Sequence, residues 1–297
     1  MVARHESFPS FLLYSLKSFL LLGLVQDSTS FIFTNTPEYP LRVASFNIRR
    51  FGLTVVSRPA VLSNIVRIIK RYDVVFVQET RDKSLASVDT LRAALGEAEW
   101  EYTASSPVGR GTYKEQYVYF YRPAVVKLLH AYLYNDSRDA FEREPYIVQF
   151  LYWSPAASSN VKVTLVGAHL TPDDVPNELE ALTEVISQVK GNISDSQGIV
   201  TMGDFNADCN YLNGAERGAA TLFNTPSEYT SFLRDTSDST VSHKQDCAYD
   251  RLVLTEQGQR QVKVANVKAF DFEKGLGINY EAAYALSDHY PIEFSLL

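Results

Sequence analysis

The chain has 297 residues, 45% hydrophobic and 21% charged, which supplies a sizeable core and excludes an extensively disordered protein. Its formal charge of −7 speaks against tight nucleic-acid binding by neutralising many phosphates, yet permits a protein that meets few phosphates through a bound cation. Tyr (18) and Phe (17) are numerous enough to place some aromatic rings at the surface.

Behind Arg4, the stretch "FLLYSLKSFLLLGLV" is apolar apart from Tyr, Ser and Lys17. It is too short and interrupted for a membrane span, and its length suits the apolar core of a secretory signal. Residues 1–30 are therefore expected to form a signal or targeting leader. An amphipathic anchor is the alternative, because no clean Ala-x-Ala site follows Val25. Cys209 and Cys247 are the only cysteines, the number one bridge requires in an oxidising compartment. "NDS" at Asn135 and "NIS" at Asn192 are glycosylation sequons and agree with a secreted or endomembrane-lumen protein.

From Leu41 onward short apolar runs alternate with helical patterns. "LRVASFNI" and "DVVFVQE" read as strands, and between them "RPAVLSNIVRIIKRY" puts Val61, Ile65, Ile68 and Ile69 on one helix face, with Pro59 in the first turn. "QYVYFYR", "AVVKLLHAYLY", "PYIVQFLYW" and "VKVTLVGAHL" are rich in β-branched and aromatic residues and predict strands. "NELEALTEVISQVK" predicts a second helix through Leu179, Leu182, Ile186 and Val189, followed by the strand "GIVTMGD". "YDRLVL", "QVKVANVKAF" and "HYPIEFSLL" close the pattern. Without repeat, linker or composition break, residues 41–297 are expected to be one α/β (α+β) domain, a four-layer sandwich of two packed, mainly antiparallel β-sheets flanked by helices.

Several of these strands end in polar residues: Asn47, Glu79, Glu115, His169, Asp204 with Asn206, Asp250, and Asp288 with His289. Each alone reads as a turn or cap residue. Together they fit metal-assisted hydrolysis, since carboxylate and carboxamide oxygens suit a hard ion such as Mg²⁺ and two carboxylate-oriented imidazoles suit proton transfer. No "HExxH", Cys/His cluster, Walker or Rossmann spacing, or G-x-S-x-G elbow occurs, so zinc, nucleotide-loop and serine-hydrolase chemistry lack their sequence signals.

"SFNIRRFG", "VQETRD", "GRGTYKEQYVYFYR", "REPYIV", "MGDFNADC", "CAYDR" and "SDHYPIEF" occur in this order across residues 41–297. On these motifs the chain resembles the deoxyribonuclease I family, including its deoxyribonuclease gamma branch. "GDFN" and "SDH" alone point only to the wider endonuclease, exonuclease and phosphatase superfamily; "YKEQY", "REP" and "CAYDR" narrow the match. The resemblance implies a divalent-metal-dependent endonuclease that cuts double-stranded DNA with little sequence preference and leaves 5′-phosphate and 3′-hydroxyl ends. Its cofactor would be Mg²⁺, or Mn²⁺ in its place, with Ca²⁺ in support. By position Glu79, Asn47, Asp204 and Asp288 match residues around the cation, and His169 with Glu115 and His289 with Asp250 match the catalytic pairs. Asn206 matches an amide placed against the scissile phosphate, and Arg49, Arg81, Tyr113 and Arg143 match DNA contacts.

The resemblance also pairs Cys209 with Cys247, while the family's second, smaller disulfide has no counterpart. Asp136, Asp139 and Glu144, and separately Asp238 with Thr240, are candidate calcium ligands. Asp208 is assigned to the turn leading to Cys209 rather than to chemistry. A monomer is expected, and actin binding stays open because "TASSPVGR" departs from the apolar residues of the family's actin contact. The alternatives are a superfamily phosphatase or sphingomyelinase-type phosphodiesterase, and an inactive actin- or DNA-binding homologue.

Overall fold

The computed structural model describes residues 38–233, 236–255 and 262–297; the leader expected at residues 1–30 lies outside the described residues. Strand β1 (Leu41–Phe51) passes through α1 (Leu53–Val56) and α2 (Pro59–Ile69) to β2 (Val74–Thr80). Helix α3 (Ala86–Leu95), β3 (Glu101–Ala104) and β4 (Gln116–Tyr121) precede a meander of β5 (Val126–Leu133), β6 (Tyr146–Ser154) and β7 (Ser159–His169). The long helix α4 (Val175–Asn192) crosses to β8 (Gly198–Asp204). An excursion through α5 (Gly214–Ala219), α6 (Thr221–Asn224) and β9 (Tyr229–Ser231) returns to β10 (Asp250–Thr255). Then come β11 (Val264–Ala269), α7 (Phe272–Leu276), α8 (Tyr280–Tyr284) and β12 (Ile292–Leu296).

Among the described residues the strands form two six-stranded sheets, ordered β11-β12-β1-β2-β4-β3 and β5-β6-β7-β8-β10-β9. Each is antiparallel except at one central pair, β1 with β2 and β7 with β8, where a helix makes the crossover. The two-residue alternation of the strands sorts their side chains into layers. Phe76, Tyr119, Phe150, Leu165, Met202 and Leu252 meet between the sheets. Val75, Val77, Val118 and Phe120 face outward onto α2 and α3. Ile199 and Val253 face α4. The result is the helix–sheet–sheet–helix sandwich expected from the sequence.

Helix α2 buries Val61, Ile65, Ile68 and Ile69 with Pro59 at its start, as the spacing predicts. Helix α4 buries Leu179, Leu182, Ile186 and Val189, and with them the carboxylate of Glu178. Helix α3 has a weaker signal, an apolar face of only Val88, Leu91 and Leu95, and it is fixed at its start by Asp82, which accepts from the Ser87 amide at 2.7 Å.

Two glycines let the central strands approach closely. A Cβ on Gly203, whose φ is +150°, would lie 1.7 Å from the Ala168 carbonyl oxygen of the neighbouring strand. A Cβ on Gly167 would lie 2.4 Å from the Phe76 ring and 2.7 Å from the Tyr119 hydroxyl, where the two sheets touch. Phe76 and Tyr119 stack at 4.7 Å between centroids and have no room to retreat. Gly167→Ala is therefore expected to cost about 1–3 kcal/mol of stability by overpacking. Denaturant unfolding would check it, and a variant as stable as the parent would contradict this reading of the interface.

Candidate active site

The strands of both parallel pairs run the same way and end at one rim. There β1 and β2 deliver Asn47 and Glu79, and β7 and β8 deliver His169 and Asp204. Asp250 opens β10 directly opposite Asp204, and His289 precedes β12 and bridges Thr240. Glu79 sits at a register shift between Val77 and Thr80 with φ +58°, and this bulge re-aims its side chain into the cleft. The cleft has a volume of 460 Å³ and is lined by Glu79, Arg81, Arg143, His169, Pro172, Asp204, Asn206, Tyr211, Thr240, Ser242, Gln245, Tyr249, Tyr284, Asp288 and His289.

At its floor stands a nearly symmetric arrangement. His169 Nδ1 lies 2.9 Å from Glu115 Oε1, and His289 Nδ1 lies 2.7 Å from Asp250 Oδ2. The other ring nitrogens converge on one atom: Asp204 Oδ2 is 3.6 Å from His169 Nε2 and 3.5 Å from His289 Nε2. Asn47 Nδ2 donates to the same Asp204 oxygen at 3.0 Å and to Glu79 Oε1 at 3.3 Å.

Asn47 Oδ1 is buried without a hydrogen-bond partner, on an amide whose nitrogen end meets the Glu79 and Asp204 carboxylates. That orphan and the all-oxygen set of Glu79, Asn47 and Asp204 fit a hard divalent cation. Asp204, Asp250 and His289 also bring ligand atoms within 4.8 Å of one another. An ion there would compete with the Asp250–His289 bond, so the oxygen set is the better seat. Asp288 faces the same cleft, where its Oδ2 lies 3.4 Å from Arg49 Nε.

Asn206, with φ +49°, donates its backbone N–H to Asp204 Oδ1 at 3.0 Å and one amide hydrogen to the Leu170 carbonyl at 2.9 Å. The second amide hydrogen is left to serve the cleft. Arg81 pairs with Glu79 at 2.9 Å, and Arg143 Nε donates to the His169 carbonyl at 2.9 Å. Tyr113 stands in solvent, 82% exposed, on the loop before Glu115. Asp136 caps the Phe141 amide at 2.8 Å, Asp139 pairs with Arg110 at 2.9 Å, and Glu144 is half-buried beside Pro145. Asp238 accepts from the Thr240 amide and hydroxyl at 2.9 and 2.8 Å. Asn135 and Asn192 are both exposed.

Cys209 and Cys247 are bridged with their Cα atoms 5.9 Å apart. Closing 38 residues stabilises by roughly 4 kcal/mol on the chain-entropy model. Asp208 Oδ2 accepts from the Ala248 amide at 2.8 Å, so it ties the same two segments together beside the bridge.

Sequence reasoning missed two kinds of residue, wall tyrosines and buried serines. Tyr211 and Tyr249 stack at 5.4 Å on one wall, and Arg49 lies over Tyr284 at 5.1 Å on the other; Tyr249, within "CAYDR", carried a usable signal. Ser287 is buried and accepts from the Arg49 and His289 amides while donating to the Asn47 carbonyl at 2.6 Å. Ser239 Oγ accepts from the Asp250 amide at 3.2 Å. Single serines have no sequence signature for such a role.

The fold and this constellation define a class, the phosphoester-cleaving enzymes of the Endonuclease/Exonuclease/phosphatase family, whose sequence pattern matches residues 44–289. In backbone the chain is similar to a humanised TDP2 of D. rerio, with a TM-score of 0.61 at 17% identity over 86% of this chain and 98% of that one. It is likewise similar to a Bacteroides thetaiotaomicron mannosyl-6-phosphatase, with a TM-score of 0.57 at 13% identity over 86% and 99%. In sequence it is 38% identical to Deoxyribonuclease-1 of Sus scrofa, over 86% of this chain and 91% of the relative. It is also 38% identical to that of Gallus gallus, over 86% and 92%. The chain belongs to the deoxyribonuclease I family and is a nuclease. Among the described residues no helix is long and apolar enough to cross a membrane.

Burial opposes charge on His289, but Asp204 and then Asp250 outweigh it and hold the imidazole well above its ordinary 6.5. His169 is raised too, burial being outweighed chiefly by Glu115. Burial pushes Glu115 and Asp204 up, yet the facing imidazoles bring both below their ordinary 4.5 and 3.8. The raised histidines stabilise the metal-free fold below their ordinary value, and this is lost as pH climbs through their folded values. Asp250, raised by burial, works in the same direction. The lowered carboxylates stabilise above their ordinary values, and this is lost as pH falls. In chelator the Tm should therefore peak between about pH 4.5 and 6.5 and decline on the alkaline side, with His289→Ala flattening that decline. A parent Tm still rising above neutrality would contradict this.

Proposed function

We propose that the protein is a divalent-metal-dependent endonuclease that hydrolyses double-stranded DNA with little sequence preference, leaving 5′-phosphate and 3′-hydroxyl ends. The observation that carries this reading is the convergence of two histidine–carboxylate pairs on Asp204, with the ring nitrogens 3.6 and 3.5 Å from one oxygen, beside the oxygen set of Glu79 and Asn47. Glu79, Asn47, Asp204 and Asp288 would hold Mg²⁺ or Mn²⁺, which when bound supplies positive charge against the phosphate oxygens.

His289, oriented by Asp250, takes the proton of the attacking water. His169, oriented by Glu115, gives a proton to the departing 3′ oxygen. The two Nε2 atoms lie 3.6 and 3.5 Å from the same Asp204 oxygen, so both proton-transfer groups reach one site. The Asn206 amide is assigned to a phosphate oxygen. Arg49, Arg81, Tyr113 and Arg143 are assigned to the minor groove and its phosphates, a mode that reads width and backbone and so cuts many sequences. A handful of such contacts reconciles the −7 charge with a DNA substrate. A phosphatase or sphingomyelinase-type substrate would leave these four residues without a task.

Calcium is assigned a supporting role at Asp136, Asp139 and Glu144 and at Asp238 with Thr240. The bridge and the exposed sequons support a secreted or endomembrane-lumen setting, glycosylated at Asn135 and Asn192, and the protein is taken to act as a monomer. Actin binding forms no part of this reading.

Plasmid nicking should require a divalent cation and stop in chelator. His169→Ala and His289→Ala should each lower it by about 10²–10⁴-fold with the fold intact. A bridging sulfur at the 3′ position leaves without protonation, so it should rescue His169→Ala and not His289→Ala. Rescue of the other variant would reverse the acid and base roles, and a folded double mutant of full activity would overturn the mechanism.

A further inference from the structure

A buried acid beside the cleft has no part in this chemistry. Glu178, in the first turn of α4, is 1% exposed and forms no ion pair among the described residues. Both its oxygens are nevertheless used: Oε1 accepts the Glu142 amide at 2.6 Å and Oε2 accepts the Thr171 amide at 2.6 Å. Glu142 precedes Arg143, and Thr171 lies two residues beyond His169, so one carboxylate grips the chain on both sides of the catalytic rim.

What the grip holds is the Arg143 guanidinium. Its Nε donates to the His169 carbonyl at 2.9 Å and lies 3.8 Å from Glu115 Oε1. Its Nη2 is buried without a hydrogen-bond partner, so the guanidinium is fixed chiefly through Nε, while the rest of its head lines the cleft. The segment is tied from the far side as well, because Glu142 Oε1 accepts the Arg110 amide at 2.9 Å.

We propose that Glu178 is a positioning residue. By clamping the Arg143 segment to the chain that leaves His169, it sets the cleft-lining guanidinium of Arg143 at the spot where a phosphate oxygen of the substrate strand binds. A carboxylate suits the task because it offers two strong acceptors in one plane. Glutamine has the same shape but one acceptor, and its NH₂ must face one of the two amide hydrogens. The proposal rests on the DNA-cleaving reading, in which Arg143 meets a phosphate.

Steady-state plasmid cleavage by Glu178→Gln, Arg143→Ala and the double variant tests it, with amide hydrogen exchange on the same proteins. Glu178→Gln should raise KM about tenfold and leave kcat within about threefold, the mark of a lost binding contact. Combined with Arg143→Ala it should cost nothing further, because the two act on one contact. Exchange at the Glu142 and Thr171 amides should quicken in Glu178→Gln.

Losses that multiply in the double variant, a fall in kcat at unchanged KM, or unaltered exchange at both amides would overturn the proposal. Should Glu178→Gln fail to fold, Glu178→Asp keeps the charge but reaches only one amide, and the same readouts apply. Exchange needs no substrate. A parent that nicks no plasmid would therefore refute the proposed double-strand-cleaving reading, while exchange would still decide whether the clamp exists.

Discussion

The buried carboxylate of Asp204 is the constraint on which the rest of the site depends. A charge taken out of water is costly unless it is paired and hydrogen-bonded, and Asp204 is only 2% exposed. Its partners come from everywhere: Asn47 from the first sheet, the Asn206 amide from its own loop, His169 from the neighbouring strand and His289 from the segment before β12. Meeting the needs of one acid thus draws together the ends of four separate pieces of chain. The close approach that permits this is set by Gly203 and Gly167, at which any side chain would push strand from strand or sheet from sheet.

The second layer of control is electrostatic. Each histidine is flanked by a carboxylate on both ring nitrogens, so each holds its proton more tightly than burial alone would allow. Arg49, Arg81 and Arg143 are engaged with Asp288, Glu79 and Glu115 rather than left bare. The cleft is therefore close to neutral overall, with charges of both signs fixed in place before any substrate is present. Such preorganisation spares the site a rearrangement when charge develops on a phosphate.

Much of this was legible from residues. The 3.6-residue spacing of Val61, Ile65, Ile68 and Ile69 and the strand-like runs ending at His169 and Asp204 are local signals, and the backbone follows them because burial rewards the same periodicity. The polar strand ends were recognisable as a set, and the structure gathers Asn47, Glu79, Glu115, His169, Asp204, Asn206, Asp250, Asp288 and His289 around one cleft. The supporting residues were not legible. Ser287, Ser239 and Glu178 act through bonds to backbone groups outside their own elements, 240 residues away in the case of Ser287 and Asn47. A carboxylate on a helix otherwise spaced for burial reads as solvated surface until the two amides that meet it are located.

A site whose floor is shared between two sheets has no smaller version of itself. Neither sheet alone carries both histidines, the acid between them and the oxygens beside it. On the proposed mechanism a newly made chain is thus inert until its two halves have docked, and a chain that loses the contact between them loses its chemistry at once. For an enzyme able to cut nucleic acid, this makes folding itself the safety catch, released only where and when the whole sandwich can assemble.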